Sequence, residues 1–260
     1  MFAVLPVAHR ATSPSQEQHV VQRVTHPDGT TSVTILEVPA GSTANQLSAQ
    51  LKLAGVTGLV EANAGQVSAL ASTCQYGYAL GLEDNPNLWP CVHWNNNGYN
   101  DPQVYFRDFT PAEWPVNASV YEWNKAVGVD SYYIWYNSAN CPSTSTGKHC
   151  VNVYQGTCPI PGLSGKVGCT EYSYDLAHNF IDGTVRVWLN SALDGNGEDN
   201  RGTTCHELGH ALGVGHNQRD PEKSSSCMGM SIPGPDHGYP NSEDYNLLKC
   251  RVYPPFPAGC

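Results

Sequence analysis

What the chain has little of narrows it first. Only 14% of its 260 residues are charged, and 13 Lys and Arg face 23 Asp and Glu, a formal net charge of −10. There is no Lys/Arg cluster, so the basic face that a nucleic-acid binder needs to neutralise phosphates is missing. An anionic membrane surface is a poor partner for the same reason, and no apolar run is long enough to span a bilayer. The sequence has no C-x-x-C pair, which argues against a zinc ribbon or a redox dithiol. It has no internal repeat and no low-complexity tract. Neither cysteine nor tryptophan occurs in the first seventy residues.

The rest of the chain is rich in what that first part lacks. Ten cysteines, an even number, stand at 74, 91, 141, 150, 158, 169, 205, 227, 250 and 260. They read as disulfides of an oxidising, extracellular compartment, and pairing of sequence neighbours gives 74–91, 141–150, 158–169, 205–227 and 250–260. Secretion rests on those cysteines, because residues 1–8 are apolar but short and have no basic region before them. With 40% hydrophobic residues, 25 Gly and 19 Pro, the composition fits a loop-rich globular domain with a real core.

The patterning divides the chain at about residue 70. Residues 20–25 and 31–38 are β-rich runs around Pro27-Asp28-Gly29, a hairpin signal. Residues 42–54 place Leu47, Leu51 and Ala54 at helical spacing, and residues 62–72 are small, polar and linker-like. Residues 1–70 are therefore read as a pro-segment removed on activation, or otherwise as an attached N-terminal extension. Residues 71–260 are read as the catalytic domain. Strands are expected at 104–109, 131–136, 151–154, 170–174 and 184–189. Helices are expected at 115–127, with Val120, Trp123 and Val127 on one face, at 201–213, and at 242–251 with Ser242 as N-cap. Strands interleaved with helices in this way give an α+β class, an α/β sandwich built on a mixed sheet.

The chemistry is concentrated in one run, His206-Glu207-Leu208-Gly209-His210-Ala211-Leu212-Gly213-Val214-Gly215-His216. His206 and His210 are four apart, so on a helix they stand one turn above the other and can reach one zinc ion at about 2.0–2.1 Å. Glu207 lies beside the first ligand, where it can act as general base on metal-bound water without coordinating the metal. Gly213 accepts the left-handed turn that ends a helix, and the chain can return so that His216 supplies a third nitrogen. Three protein ligands leave a position open for water, as a catalytic zinc requires. By chance such a run arises in about one chain in fifteen thousand, which leaves coincidence a poor explanation. Three histidines serving only as polar surface residues are a poor explanation too, because such residues have no use for Glu207.

This run resembles the extended zinc motif of the metzincin clan of metallopeptidases. The resemblance covers about residues 100–250 and is specific at 206–216. It implies a zincin-like catalytic domain with a mixed, mostly parallel five-stranded sheet, a zinc helix, a methionine turn beneath the metal and a C-terminal helix. Residues 170–174 would be the edge strand and 184–189 the last strand before the zinc helix. Within Ser226-Cys227-Met228-Gly229-Met230, Met228 is the first choice for the turn methionine and Met230 the second. If helix and turn are stacked as the clan implies, a Cys205–Cys227 bond would pin them together. Two departures leave the subfamily open between matrixin-like and snapalysin-like. Met230 stands where some members place a tyrosine ligand, and no cysteine-switch sequence of the matrixin kind is present.

The resulting expectation is a secreted, monomeric zinc endopeptidase with one catalytic Zn2+ on His206, His210 and His216 and with Glu207 as base. Its partner would be an extended protein or peptide substrate that adds as a strand to the sheet edge. Two other readings compete. One is a secreted zinc-containing binding module without turnover, which has no use for Glu207. The other is a zinc amidase acting on cell-wall substrates, which assays of casein against wall fragments would separate. Residues 194–200 pack acidic and amide oxygens between glycines and could wrap Ca2+, or they could equally form a turn whose acids favour the start of the next helix. His93, His149, His178 and His237 are isolated and read as surface or loop residues. Asn117-Ala118-Ser119 is a glycosylation sequon.

Overall fold

The computed structural model describes residues 19–37, 43–60, 91–98, 100–142, 147–159, 168–190, 197–216, 226–229 and 238–253. The two β-rich runs at the start pair as expected. β1 (His19–Thr25) and β2 (Thr31–Glu37) are antiparallel, with Thr25 opposite Thr31. Asp28 Oδ1 accepts from the Thr30 amide at 2.9 Å, and Gly29 takes φ +85°, so Asp28 and Gly29 each have a distinct use in the turn. The helix read at 42–54 is α1 (Ala44–Leu53), which opens on a capping box between Thr43 and Gln46. It is followed by the short strand β3 (Leu59–Val60).

The later strands are β4 (Gln103–Asp108), β5 (Asp130–Trp135), β6 (Lys148–Gln155), β7 (Gly168–Tyr174) and β8 (Arg186–Leu189). All eight strands form one mixed sheet in the order β3-β1-β2-β7-β8-β6-β4-β5. The expected five-stranded sheet is thus corrected to eight. Strands β4 to β8 alone do form a mixed, mostly parallel unit: β4–β5, β4–β6 and β6–β8 are parallel and β7–β8 is antiparallel. The other three strands come from the stretch before residue 62. β7, read as the edge strand, is interior, because β2 pairs with it antiparallel from Thr31↔Tyr174 to Leu36↔Cys169.

Helices α2 (Val116–Trp123) and α3 (Gly197–Ala211) lie on one face of the sheet. α2 is shorter than the 115–127 span expected. Asn124 caps it, and its side chain accepts from the Ser131 amide at 2.8 Å. Gly128 at φ +102° then turns the chain into β5. Val127 is consequently 58% exposed, and Ala126 is buried in its place. The closing helix α4 (Ser242–Leu247) runs on into a π-helical turn, Leu248–Val252. Its N-cap is Asn241 rather than Ser242, because the Asn241 side chain accepts from the amides of Glu243 and Asp244.

The alternation along β2 places Val33 and Ile35 in the main core, with Tyr172, Phe106, Leu208 and Leu212. It sends Leu36 to the opposite face, where Val20, Leu47, Leu51 and the Cys158–Cys169 disulfide make a second cluster. Cys141–Cys150 and Cys205–Cys227 are the other two bonds with both partners among the described residues, so three of the five expected pairs are formed. Cys91 and Cys250 are also disulfide-bonded, while Cys74 and Cys260 lie outside the described residues. No helix among the described residues is long and apolar enough to cross a membrane.

Because Ile35 is 1% exposed in the shared core, Ile35→Ala should cost the whole chain about 2–5 kcal/mol. Thermal unfolding followed by circular dichroism should show one transition at a lower midpoint. A main transition that stays in place while a small early one moves would mean that the hairpin melts on its own.

Candidate metal centre

α3 carries His206, Glu207 and His210 at 6%, 1% and 0% exposure, and His216 beyond its end is 1% exposed. α3 begins four residues before the 201 expected and ends at Ala211, with the turn at Gly213 that the sequence indicated. Gly213 takes φ +96°, and the Val214 amide returns to the Gly209 carbonyl at 3.0 Å. A side chain at Gly213 is barred twice, since a Cβ there would also stand 2.6 Å from the Val92 carbonyl oxygen. This turn swings His216 back over the helix. His206 Nε2 then lies 3.0 Å from His210 Nε2 and 3.0 Å from His216 Nε2.

The tautomers of two rings follow from their other nitrogens. His206 Nδ1 donates to the Cys227 carbonyl at 2.7 Å, and His210 Nδ1 donates to the Val214 carbonyl at 2.7 Å. Each therefore turns an Nε2 lone pair toward the common point, the arrangement in which backbone acceptors orient metal-binding imidazoles. Tetrahedral bonds of about 2.0–2.1 Å would hold such nitrogens roughly 3.3 Å apart, close to what is found. Among the described residues, these three histidines are the group of acids, cysteines and histidines placed to hold an ion. The donor set fits zinc, and Glu207 stays outside it.

Glu207 is held from β7. Thr170, fully buried, donates its hydroxyl to Glu207 Oε2 at 2.6 Å. A Cβ placed on Gly168 would lie 2.7 Å from Glu207 Oε1, so the strand passes very close to the carboxylate.

Met228 is 0% exposed, and its thioether lies against Gly209 on the zinc-motif helix. Met228 is the first choice for the turn methionine, and Met230, the second, lies outside the described residues. Cys205–Cys227 ties this turn to the helix. The Cys227 amide donates to the Tyr239 carbonyl at 2.9 Å, and the Ser226 hydroxyl, which accepts from the Met228 amide at 2.8 Å, donates to Asp244 Oδ2 at 2.6 Å.

The sequence pattern missed several residues that fix the helix. Trp94 Nε1 donates to the Ala211 carbonyl at 2.9 Å and Tyr253 to the Leu212 carbonyl at 2.8 Å, satisfying acceptors that a helix end leaves open. Trp123 Nε1 donates to the Cys205 carbonyl at 2.9 Å. Burial pushes the Tyr253 phenol well up, so it stays a donor. Plentiful aromatic residues were the only signal of this, with nothing to tell which ones reach back to the helix.

Three further expectations meet the structure here. His149 is not a surface residue. It is 2% exposed, stacks on Trp94 at 4.6 Å between ring centroids, and bridges the Asn95 carbonyl and Asp182. His93 is half-buried against the Cys91 carbonyl, and desolvation lowers its pKa. The segment considered for calcium is in part the first turn of α3, which begins at Gly197, and no acidic cluster for calcium is found among the described residues. A separate groove of about 350 Å³, lined by Asn117, Tyr121, Glu122, Arg201 and Tyr239, contains neither the three histidines nor Glu207.

No protein-family model matches the sequence, and no curated protein does. Among solved structures, the archaemetzincin of Archaeoglobus fulgidus, solved in complex with malonate, is similar. Identity is 16%, 56% of this chain and 99% of that one are covered, and the TM-score is 0.32. At that level the likeness assigns no family.

If His216 completes the ligand set, His216→Ala should lower zinc affinity by at least tenfold and leave the fold intact. Equilibrium dialysis against zinc, alongside circular dichroism, measures both. Undiminished affinity in a folded variant would remove His216 from the site.

Proposed function

We propose that the chain is a secreted zinc-dependent endopeptidase. The observation that carries this reading is the convergence of the three Nε2 atoms, two with tautomers fixed by backbone carbonyls, beside a buried glutamate that is not one of them. A zinc ion held by His206, His210 and His216 supplies Lewis-acid polarisation of a substrate carbonyl and makes a nearby water more acidic. Glu207 takes the proton from the attacking water and passes it to the leaving amine. The buried surroundings strengthen each electrostatic interaction made there. The Cys205–Cys227 bond and the other disulfides fit an oxidising, extracellular compartment.

Residues 1–70 act in this reading as the pro-segment. A substrate that added as a strand beside the zinc helix would need the β7 edge, and β2 holds that edge. Because no cysteine precedes residue 74, no disulfide ties the hairpin to the rest of the chain. Cleavage within residues 62–72, outside the described residues, would free its covalent link. Val21, Val33 and Ile35 would still hold it by burial, each by about 1.5–3 kcal/mol. Activity therefore requires that the hairpin leave, and not merely that the chain be cut.

Casein hydrolysis by the purified protein, with and without phenanthroline, tests the activity. Chelator-sensitive cleavage is expected, with no release from cell-wall fragments. Glu207→Gln should keep one zinc per chain by metal analysis and lose nearly all turnover. Loss of zinc along with activity would make Glu207 a ligand instead.

Activation is tested by N-terminal sequencing and gel filtration of the active material. The active species should begin near residue 72, and the fragment containing β1 and β2 should co-elute only with latent protein. Full activity with residues 20–60 still bound would make this stretch a permanent part of the enzyme.

A further inference from the structure

On the face of β7 that meets the zinc helix, residues two apart share one side of the strand. Two of them, Gly168 and Thr170, both face the Glu207 carboxylate. At Gly168 there is no room for a side chain: a Cβ would stand 2.7 Å from Oε1, 2.8 Å from Cγ and 3.1 Å from Cδ of Glu207. Gly168 is not among the residues with positive φ, so its backbone conformation is open to alanine and the restriction is one of space alone. At Thr170 the hydroxyl donates to Oε2 at 2.6 Å, a short bond of the charge-assisted kind. The same oxygen also lies 3.0 Å from the Glu207 main-chain carbonyl. Its single proton goes to the carboxylate, which is the nearer acceptor.

We infer that Gly168 and Thr170 form a cradle on β7 that positions the Glu207 carboxylate, with the glycine leaving the space for one oxygen and the threonine orienting the other. This inference rests on the reading of Glu207 as the general base. Glu207 is on a helix beside a metal ligand, and its side chain has several rotamers to choose from. A base displaced by about 1 Å can lose a hundredfold in rate, so an orienting donor and a close wall have a direct catalytic use. Both residues are positioning residues. The strand carries them to the site by its own pairing: Thr170 lies between Ile35 of β2 and Val187 of β8, and Gly168 lies opposite Leu189. Neither could be found from the sequence, because the strand and the zinc motif are separated by more than thirty residues with no shared pattern.

The test uses Thr170→Val, Thr170→Ser and Gly168→Ala, each alone, and Thr170→Val again in a Glu207→Ala background. Each variant is handled as the wild type is through activation. Thr170→Val keeps the shape and removes the donor. It should lower kcat about tenfold or more, with KM and zinc content unchanged, and Thr170→Ser should restore most of the loss. Gly168→Ala should lower kcat to a similar extent at full zinc content. In the Glu207→Ala background, Thr170→Val should make no further difference. Thermal unfolding of the zinc-free full-length chains gives a readout independent of activity. Thr170→Val should lower the midpoint by about 2–4 °C or more when Glu207 is present and by clearly less when it is alanine. A Thr170→Val enzyme with kcat within about twofold of wild type, or midpoints that simply add, would overturn the cradle. A fully active Glu207→Ala enzyme would overturn instead the reading on which the cradle rests, and the unfolding cycle would still decide whether the pair is coupled.

Discussion

Imidazole nitrogens whose lone pairs face one another across 3.0 Å in a buried site, as those of His206 and His210 do, repel, and a cation between them turns that repulsion into binding. The arrangement around α3 resists this repulsion. Two of the rings are tied at Nδ1 to the Cys227 and Val214 carbonyls. The helix that presents them is fixed by donors from Trp94, Trp123 and Tyr253, by the Cys205–Cys227 bond, and by Met228 seated against Gly209. Asp244, buried at the start of α4, anchors the turn that carries Met228 through Ser226. A site prepared in this way loses little conformational freedom when it takes up metal.

The same packing creates a conflict at the edge of the sheet. A chain that binds extended polypeptides needs an unpaired strand edge, and an unpaired edge is a site for wrong association. Here the hairpin before residue 38 covers β7 and completes the core through Val33 and Ile35. In the proposed function, protection of the edge and latency are one contact, opened only when the hairpin departs.

Much of this could be read in the sequence where one local pattern decides the outcome. The spacing of His206 and His210, the glycine at 213 and the turn at Asp28-Gly29 each specify geometry within a few residues, and the structure keeps them. Four of the five strands from β4 to β8 were right to within about two residues at each end, and β6 began three residues earlier than read and ended one later. What the sequence did not give was partnership between distant segments. Nothing local says that β2 lies against β7, that Thr170 reaches Glu207, or that His149 is buried against Trp94. Helix ends were misjudged where a side chain intervened from outside the helix's own pattern, as Asn124 does by bonding to Ser131 and Asn241 by capping α4.

The coordination of the metal tests the central claim most directly. X-ray absorption at the zinc edge on the purified, zinc-loaded chain should give three nitrogen ligands at about 2.0–2.1 Å with imidazole scattering beyond them, and one further light ligand. That result describes an open, three-histidine centre of the kind a hydrolase uses. A sulfur shell at about 2.3 Å, or four protein ligands with no open position, would contradict the account.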